Sequence, residues 1–328
     1  MTMSNAVVAC TWGPAVNGLA VDAEELLTVA SKAAAGLGAP LHWLALADPG
    51  GHASAVAARF GVASLDRIED AKLASFSADV YVEALAQYCG AESPAALLVV
   101  QGFDSRVVAP RLAGRLGGAV VSNAVDADVT GGKLAITASA YGGDTRVVYE
   151  FQGGGTRVVS VTANAVSIAP PARAGAAPVT RAIAVDLSGV TERVKVVERP
   201  TVQGQRLEEA QIIVSGGRGL GKKENYKLVE ELAAALGGMA GASRPIVDDG
   251  WVDSSRQVGL TGRITRPALY LAAGISGASQ HMAGCSAAKT IAAINTDKDA
   301  AIFRYARYGV VGDCVAILGE LTKAAKGG

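Results

Sequence analysis

Short apolar runs alternate with longer amphipathic segments along most of this chain. Residues 6–11, 41–46 and 96–100 are nearly continuous in Val, Leu and Ala, as strands buried on both faces are. Residues 21–35, 53–60 and 77–88 carry their apolar positions at helical spacing, and 104–116 continues the alternation after the third run. Glu24 and Glu25 lie near the start of the first helical segment, where negative charge suits the helix dipole. This β/α rhythm predicts a parallel sheet flanked by helices.

The rhythm changes between 133 and 162. Short β runs at 133–139, 145–151 and 156–162 are punctuated by Gly131-Gly132, Gly142-Gly143 and Gly153-Gly-Gly155. Glycine turns between β-rich runs predict antiparallel hairpins added to the parallel sheet. A Pro- and Ala-rich loop at 169–178 and two more strand-like runs lead to Arg199-Pro200, where the domain boundary is expected. Residues 1–200 then form an N-terminal α/β domain and 201–328 a second one.

The second domain restarts the α/β pattern with a strand at 210–215 and a helix at 225–236. An irregular stretch at 241–266 precedes apolar strands at 269–274 and 290–295, which a turn and a small-residue helix separate. A further strand or turn reaches Asp313, and 314–325 is helical. Ligands of open α/β sheets bind beyond the carboxyl ends of the strands. Here those ends carry Ser276, Gln280, His281 and Asn295, with no carboxylate before Asp297. Such a set of hydrogen-bonding groups suits a polar heterocycle or a phosphate. His281 follows a Gly/Ser-rich turn, where exposure to a ligand is expected rather than core burial.

Composition narrows the partners. Thirty basic and thirty acidic side chains cancel, which removes the electrostatic case for nucleic acid. Cys10, Cys89, Cys285 and Cys314 form no Cys-x-x-Cys pair and read as small buried side chains in a reducing compartment. The uncharged stretch at 267–288 contains too much Gly, Ser, Gln and His for a membrane span. With no targeting pattern at the N-terminus, a cytoplasmic location is expected.

Gly216-Gly-Arg-Gly-Leu-Gly-Lys-Lys223 resembles two nucleotide motifs and fits neither. Lys223 stands where a phosphate loop needs a hydroxyl for Mg²⁺, and the glycines are misplaced for a dinucleotide fingerprint. An anion-binding turn helped by Arg218 and a plain tight turn with a solvated Arg218 both remain open. The chain offers no Ser/His/Asp arrangement, no carboxylate pair and no metal-ligand cluster. A bound cofactor is therefore the better candidate for any chemistry.

Six motifs in order carry a family resemblance. They are Ser215-Gly-Gly-Arg-Gly-Leu220, Gly241-Ala-Ser-Arg244, Gln257-Val-Gly-Leu-Thr-Gly262, Gly274-Ile-Ser-Gly-Ala-Ser-Gln-His281, Ala293-Ile-Asn295 and Tyr308-Gly-Val-Val-Gly-Asp313. Ser122-Asn-Ala-Val-Asp126 and Ala138-Ser-Ala-Tyr-Gly-Gly143 agree more loosely. Together they resemble the alpha subunit of electron transfer flavoprotein. The resemblance implies an N-terminal α/β domain and a C-terminal flavodoxin-like, Rossmann-like domain holding one FAD. It also implies a heterodimer with a beta subunit that binds AMP or a second FAD. Such a pair shuttles electrons from acyl-CoA dehydrogenases to a quinone-linked oxidoreductase; the alternative is a subunit of an NADH-dependent bifurcating complex.

Site roles follow from the same resemblance. Arg244 would lie over the flavin ring, where a fixed cation favours added negative charge; Thr261 would bond at N5 and His281 near the C2 carbonyl. Val258, Gly259 and Leu260 complete that loop. Ser276, Gly277, Ala278, Ser279, Gln280 and Asn295 would hold the ribityl and phosphate portions. Arg218, Ser243, Asp313 and Cys314 lie towards the adenosine half, with Asp313 placed to accept from a ribose hydroxyl. Leu260 stands where many members have Gln, Thr296 where Lys is common, and Arg307 where Asp is common. Cys285 and Cys314 stand where larger apolar residues are frequent.

Overall fold

The computed structural model describes residues 5–13, 15–16, 19–20, 22–141, 145–163, 166–171, 176–194 and 206–327. The chain forms two compact units, Met1–Ala140 with Arg146–Arg199, and Tyr141–Thr145 with Pro200–Gly328. The boundary expected at Arg199-Pro200 and the Gly142-Gly143 turn both lie outside the described residues.

The first unit opens with β1 (Val7–Trp12), an antiparallel ribbon of β2 (Ala15–Val16) and β3 (Leu19–Ala20), and α1 (Ala23–Leu37). It continues through β4 (Leu41–Leu46), α2 (Ala53–Arg59), β5 (Ser64–Ile68), α3 (Ala78–Glu92), β6 (Ala96–Gln101) and α4 (Phe103–Arg115). Next come β7 (Ala119–Thr130), β8 (Lys133–Ala140), β9 (Thr145–Glu150), β10 (Arg157–Thr162) and β11 (Val179–Ala182). They make one nine-stranded sheet in the order β11-β5-β4-β1-β6-β10-β7-β8-β9.

Side-chain alternation gives this sheet a core on each face. Val7, Ala9 and Trp43 pack with Leu26 and Leu27 of α1 and with Phe60, whereas Val8, Cys10 and Leu44 pack with α3 and α4 through Leu85, Val108 and Leu112. β7 and β8 pair antiparallel across Gly131-Gly132, both at positive φ (59 and 76), the backbone that a two-residue hairpin needs. β10 departs from the expected hairpin pattern. It inserts parallel between β6 and β7, because Val158, Val159 and Val161 are buried among apolar neighbours that a sheet-edge hairpin would not supply.

The second unit contains β12 (Ile212–Gly216), α5 (Tyr226–Ala235), β13 (Met239–Ala242), α6 (Arg244–Asp248) and β14 (Leu269–Ala273). After these come α7 (Ser279–Met282), β15 (Thr290–Asn295), β16 (Tyr308–Val311) and α8 (Cys314–Gly327). All five strands pair in parallel, in the order β13-β12-β14-β15-β16. Counted within the unit that order is 2-1-3-4-5, the flavodoxin-like winding. Val229 and Leu232 of α5 and Leu318 of α8 cover one face; Met282, Cys285 and Ile302 cover the other, over Ile213, Tyr270 and Ala272.

Candidate functional site

The winding reverses between β12 and β14, and the carboxyl ends of these two strands meet there without side chains. Gly217 donates to the Ala273 carbonyl at 2.9 Å, and Gly219 donates to the Gly274 carbonyl at 3.0 Å. A Cβ on Gly217 would lie 2.3 Å from the Gly274 oxygen, and one on Gly219 would lie 2.6 Å from the Gly274 Cα. Gly274 itself is left-handed, at φ 65. The glycines of 216–221 are thus consumed in a close crossing of two backbones. Lys223 points elsewhere and donates to the Gly250 carbonyl at 3.0 Å. The glycine spacing is thus accounted for by backbone packing rather than by a phosphate loop, and the crossing lies at the switch point, where doubly wound sheets take ligands.

The expected irregular stretch beside this crossing is a built loop. Val258 donates to the Ala242 carbonyl at the end of β13, and Leu260 donates to the Gln280 carbonyl of α7 at 2.7 Å. Gly259 and Arg263 close the turn with a 3.1 Å backbone bond, and Gln257 Nε2 donates to Thr261 Oγ1 at 3.0 Å. A Cβ on Gly259 would sit 3.0 Å from the Gln280 oxygen, so a glycine is needed where this loop lies on α7. Thr261 is left exposed at its tip.

The other expected ligands gather at the same carboxyl edge. Arg218 follows β12 and pairs with Asp249 at 3.2 Å; Ser243 and Arg244 follow β13, with Arg244 exposed and paired with Asp248 at 3.1 Å. Ser276, Ala278 and Gln280 are exposed after β14, and Ser279 is half-buried. Gly277, at φ 81, lets this loop touch Ile302, whose N–H bonds the Ser276 carbonyl at 2.9 Å. Among the described residues, none of the 275–278 amides donates to a protein acceptor, so this row of N–H groups is available to an anion.

Three expected ligands, Asn295, Asp313 and Cys314, are already engaged by the protein. Asn295 Nδ2 donates to the Ile275 carbonyl at 2.9 Å while its Oδ1 accepts from the Asp297 amide at 2.9 Å, which fixes the loop after β14. Asp313 Oδ1 accepts from the Val315 amide at 2.9 Å and caps α8, and the Cys314 thiol donates to the Gly219 carbonyl at 3.4 Å.

His281 departs from expectation: it is buried, because α7 turns its ring inward over β14. Its Nε2 meets the Tyr270 hydroxyl at 2.9 Å, while Nδ1 is buried and no described residue bonds it in hydrogen-bond geometry, the Val258 carbonyl lying near the ring without closing a bond to Nδ1. Burial pushes the ring down to about 4, outweighing the Val258 carbonyl that favours the charged form, so the imidazole is neutral at pH 7. Ser215 Oγ, at the end of β12, is likewise buried without a partner. Tyr270 was not among the expected site residues. A lone aromatic hydroxyl in an otherwise aliphatic strand is the signal that could have marked it, since buried phenols seek partners.

A buried imidazole nitrogen outside hydrogen-bond geometry, a glycine-built switch point, a row of free amides and two exposed arginines fit a large anionic heterocycle. The described residues contain no cluster of His, Cys, Asp and Glu that could hold a metal. Residues 206–286 match the family model described as the electron transfer flavoprotein FAD-binding domain, and 17–187 match the electron transfer flavoprotein domain. The electron transfer flavoprotein subunit alpha of Bacillus subtilis (strain 168) is 35% identical over 269 residues, 81% of this chain and 82% of that protein. That of Mycobacterium tuberculosis (strain ATCC 25618 / H37Rv) is 39% identical over 257 residues, 75% and 76%. Protein FixB of Azotobacter vinelandii is 50% identical over 137 residues, 42% of this chain and 38% of its own length.

The chain belongs to the electron transfer flavoprotein alpha-subunit family.

As a family member it is a flavin-dependent electron carrier rather than an enzyme with a substrate of its own. The matched FAD-binding segment runs from just before β12 to just beyond α7. It therefore contains the backbone crossing, the loop at 257–263 and His281, and stops short of Asn295 and Asp313. The alpha-subunit family works as a heterodimer with a beta subunit. Among the described residues, no helix is long and apolar enough to cross a membrane.

Proposed function

We propose that this chain holds one FAD along the carboxyl edge of its C-terminal sheet. The supporting observation is the coincidence of the matched FAD-binding segment with the switch point of the sheet, beside which a buried His281 nitrogen has no partner in hydrogen-bond geometry. FAD supplies the one- and two-electron chemistry when bound. Arg244, Thr261 and His281, with Val258, Gly259 and Leu260, surround its ring. Arg244 is a surface cation tethered only by an i,i+4 partner and is free to turn toward negative charge. The amides and side chains of Ser276, Gly277, Ala278, Ser279 and Gln280 take the chain that joins ring to nucleotide. Asn295 acts by fixing that loop, since both ends of its amide are already bonded. Arg218, Ser243, Asp313 and Cys314 lie toward the adenosine half.

In the cell the carrier is a cytoplasmic heterodimer whose beta subunit holds AMP or a second FAD. Acyl-CoA dehydrogenases supply electrons and a quinone-linked oxidoreductase removes them. Co-purification with the beta subunit, followed by acid release and a count of flavin and AMP, tests this reading. One FAD and one AMP per pair support a shuttle, and two FAD support a bifurcating relative. A folded pair without flavin would overturn the assignment.

A further inference from the structure

Tyr270 is fully buried on β14, and its hydroxyl is the group that holds His281 Nε2, at 2.9 Å. The two rings tilt by 53° with centroids 6.0 Å apart, so the contact is made by the hydroxyl rather than by stacking. The backbone of α7 cannot follow the ring if that bond breaks, because the Gln280 carbonyl is already bonded to Leu260. The imidazole can then only turn about its own side-chain bonds.

A neutral imidazole carries one donor and one acceptor nitrogen, and the bond at one sets the state of the other. A phenolic O–H is a better donor than a neutral imidazole N–H, and the imidazole lone pair accepts better than a phenolic oxygen. Tyr270 therefore donates to Nε2, and the ring hydrogen resides on Nδ1. The Ser215 hydroxyl and the Cys285 thiol also border the Tyr270 oxygen, and the imidazole lone pair is the strongest acceptor among these groups. The outcome is a buried N–H on His281 with no acceptor in hydrogen-bond geometry, although the Val258 carbonyl lies close to the ring, and a buried donor left so is costly to keep. A bound ligand oxygen would satisfy it.

We propose that Tyr270 is a positioning residue that fixes the orientation and tautomer of His281, so that Nδ1–H is presented to a carbonyl oxygen of the bound flavin ring. The proposal rests on the FAD reading. It adds to that reading the residue through which His281 is set and the nitrogen that faces the ligand.

The test uses the heterodimer labelled with ¹⁵N-histidine. The chain has three histidines, so a His281→Gln sample assigns the His281 resonances. In the unsubstituted protein the expected result is a single Nδ1–H tautomer with Nε2 shifted as an acceptor, and this needs no variant to fold. In Tyr270→Phe the expected result is loss of that single tautomer. The flavin reduction potential should also move in the same direction as in His281→Gln. The double variant should move it no further than His281→Gln alone, since Tyr270 acts through His281. A residue that merely packs would lower stability and leave tautomer and potential unchanged; that result overturns the proposal. An Nε2–H tautomer in the unsubstituted protein also overturns it. Failure of the FAD reading is distinguishable, because the unsubstituted heterodimer would then be colourless before any substitution is made.

Discussion

His281 titrates near 4, whereas a histidine in an unfolded chain titrates near ~6.5, because burial penalises its charged ring. The unfolded chain takes up a proton below about 6.5 that the folded chain refuses until about 4. Stability conferred by the neutral ring is therefore complete above that window, falls as pH drops through it and levels off below. The loss is on the order of 3 kcal/mol, at about 1.4 kcal/mol per pH unit. Urea unfolding of flavin-free protein at pH 7 and 4.5 measures it. His281→Gln should lose less stability between the two than the parent does, and an equal loss would show that the imidazole is not buried neutral. Arg244 makes a contrasting prediction. It is exposed and its pair with Asp248 spans one helical turn on the surface, so Arg244→Ala should change stability by no more than about 0.5 kcal/mol. The same substitution should lower the flavin reduction potential, with Arg244→Lys intermediate, because a point charge cannot spread over a planar ring as guanidinium does. A redox titration against indicator dyes reads this; an unshifted potential in Arg244→Ala would place the ring elsewhere.

At the scale of elements, the crossing of β12 and β14 sets the site. Gly274 and Gly221 are both left-handed, at φ 65 and 80, but only Gly274 is crowded, with an added Cβ 2.8 Å from Gly219. Gly221→Ala should cost about 1–2 kcal/mol from backbone strain alone. Gly274→Ala should cost about 2–4 kcal/mol and displace flavin, as overpacking adds to that strain. Thermal unfolding of the two variants compares them, and equal costs would mean that the crossing tolerates a side chain. The strands legible in sequence were those buried on both faces, such as β1, β4, β14 and β15, whose apolar runs need no knowledge of neighbours. β5 escaped because it reads Ser-Leu-Asp-Arg-Ile, with a carboxylate at its centre. Asp66 is buried there only because Ser64, Tyr88 and a bidentate Arg181 on β11 surround it, a partnership across 115 residues. Likewise the parallel insertion of β10 depends on pairing that no local pattern encodes. The site's loops were legible as ordered motifs, but the burial of His281 was not, since it comes from α7 folding onto one hydroxyl of β14.

For the whole molecule, both sheets end in strands that leave apolar side chains open. Val148 and Tyr149 of β9 are exposed at one end of the first sheet, and Tyr308, Val310 and Val311 of β16 at one end of the second. Exposed apolar edges favour association unless a partner covers them. The chain expressed alone should aggregate, and co-expression with its beta subunit should yield a monodisperse heterodimer by light scattering. A stable, FAD-saturated monomer would show that these edges need no cover. The most direct test of the flavin assignment is the visible spectrum of that heterodimer, with the released cofactor identified and counted per chain. FAD is expected in at least equimolar amount to this chain, lost selectively in Gly274→Ala. A folded heterodimer without flavin absorption, or one whose only FAD survives that substitution in a still-folded partner, would contradict a flavin site at the β12–β14 crossing.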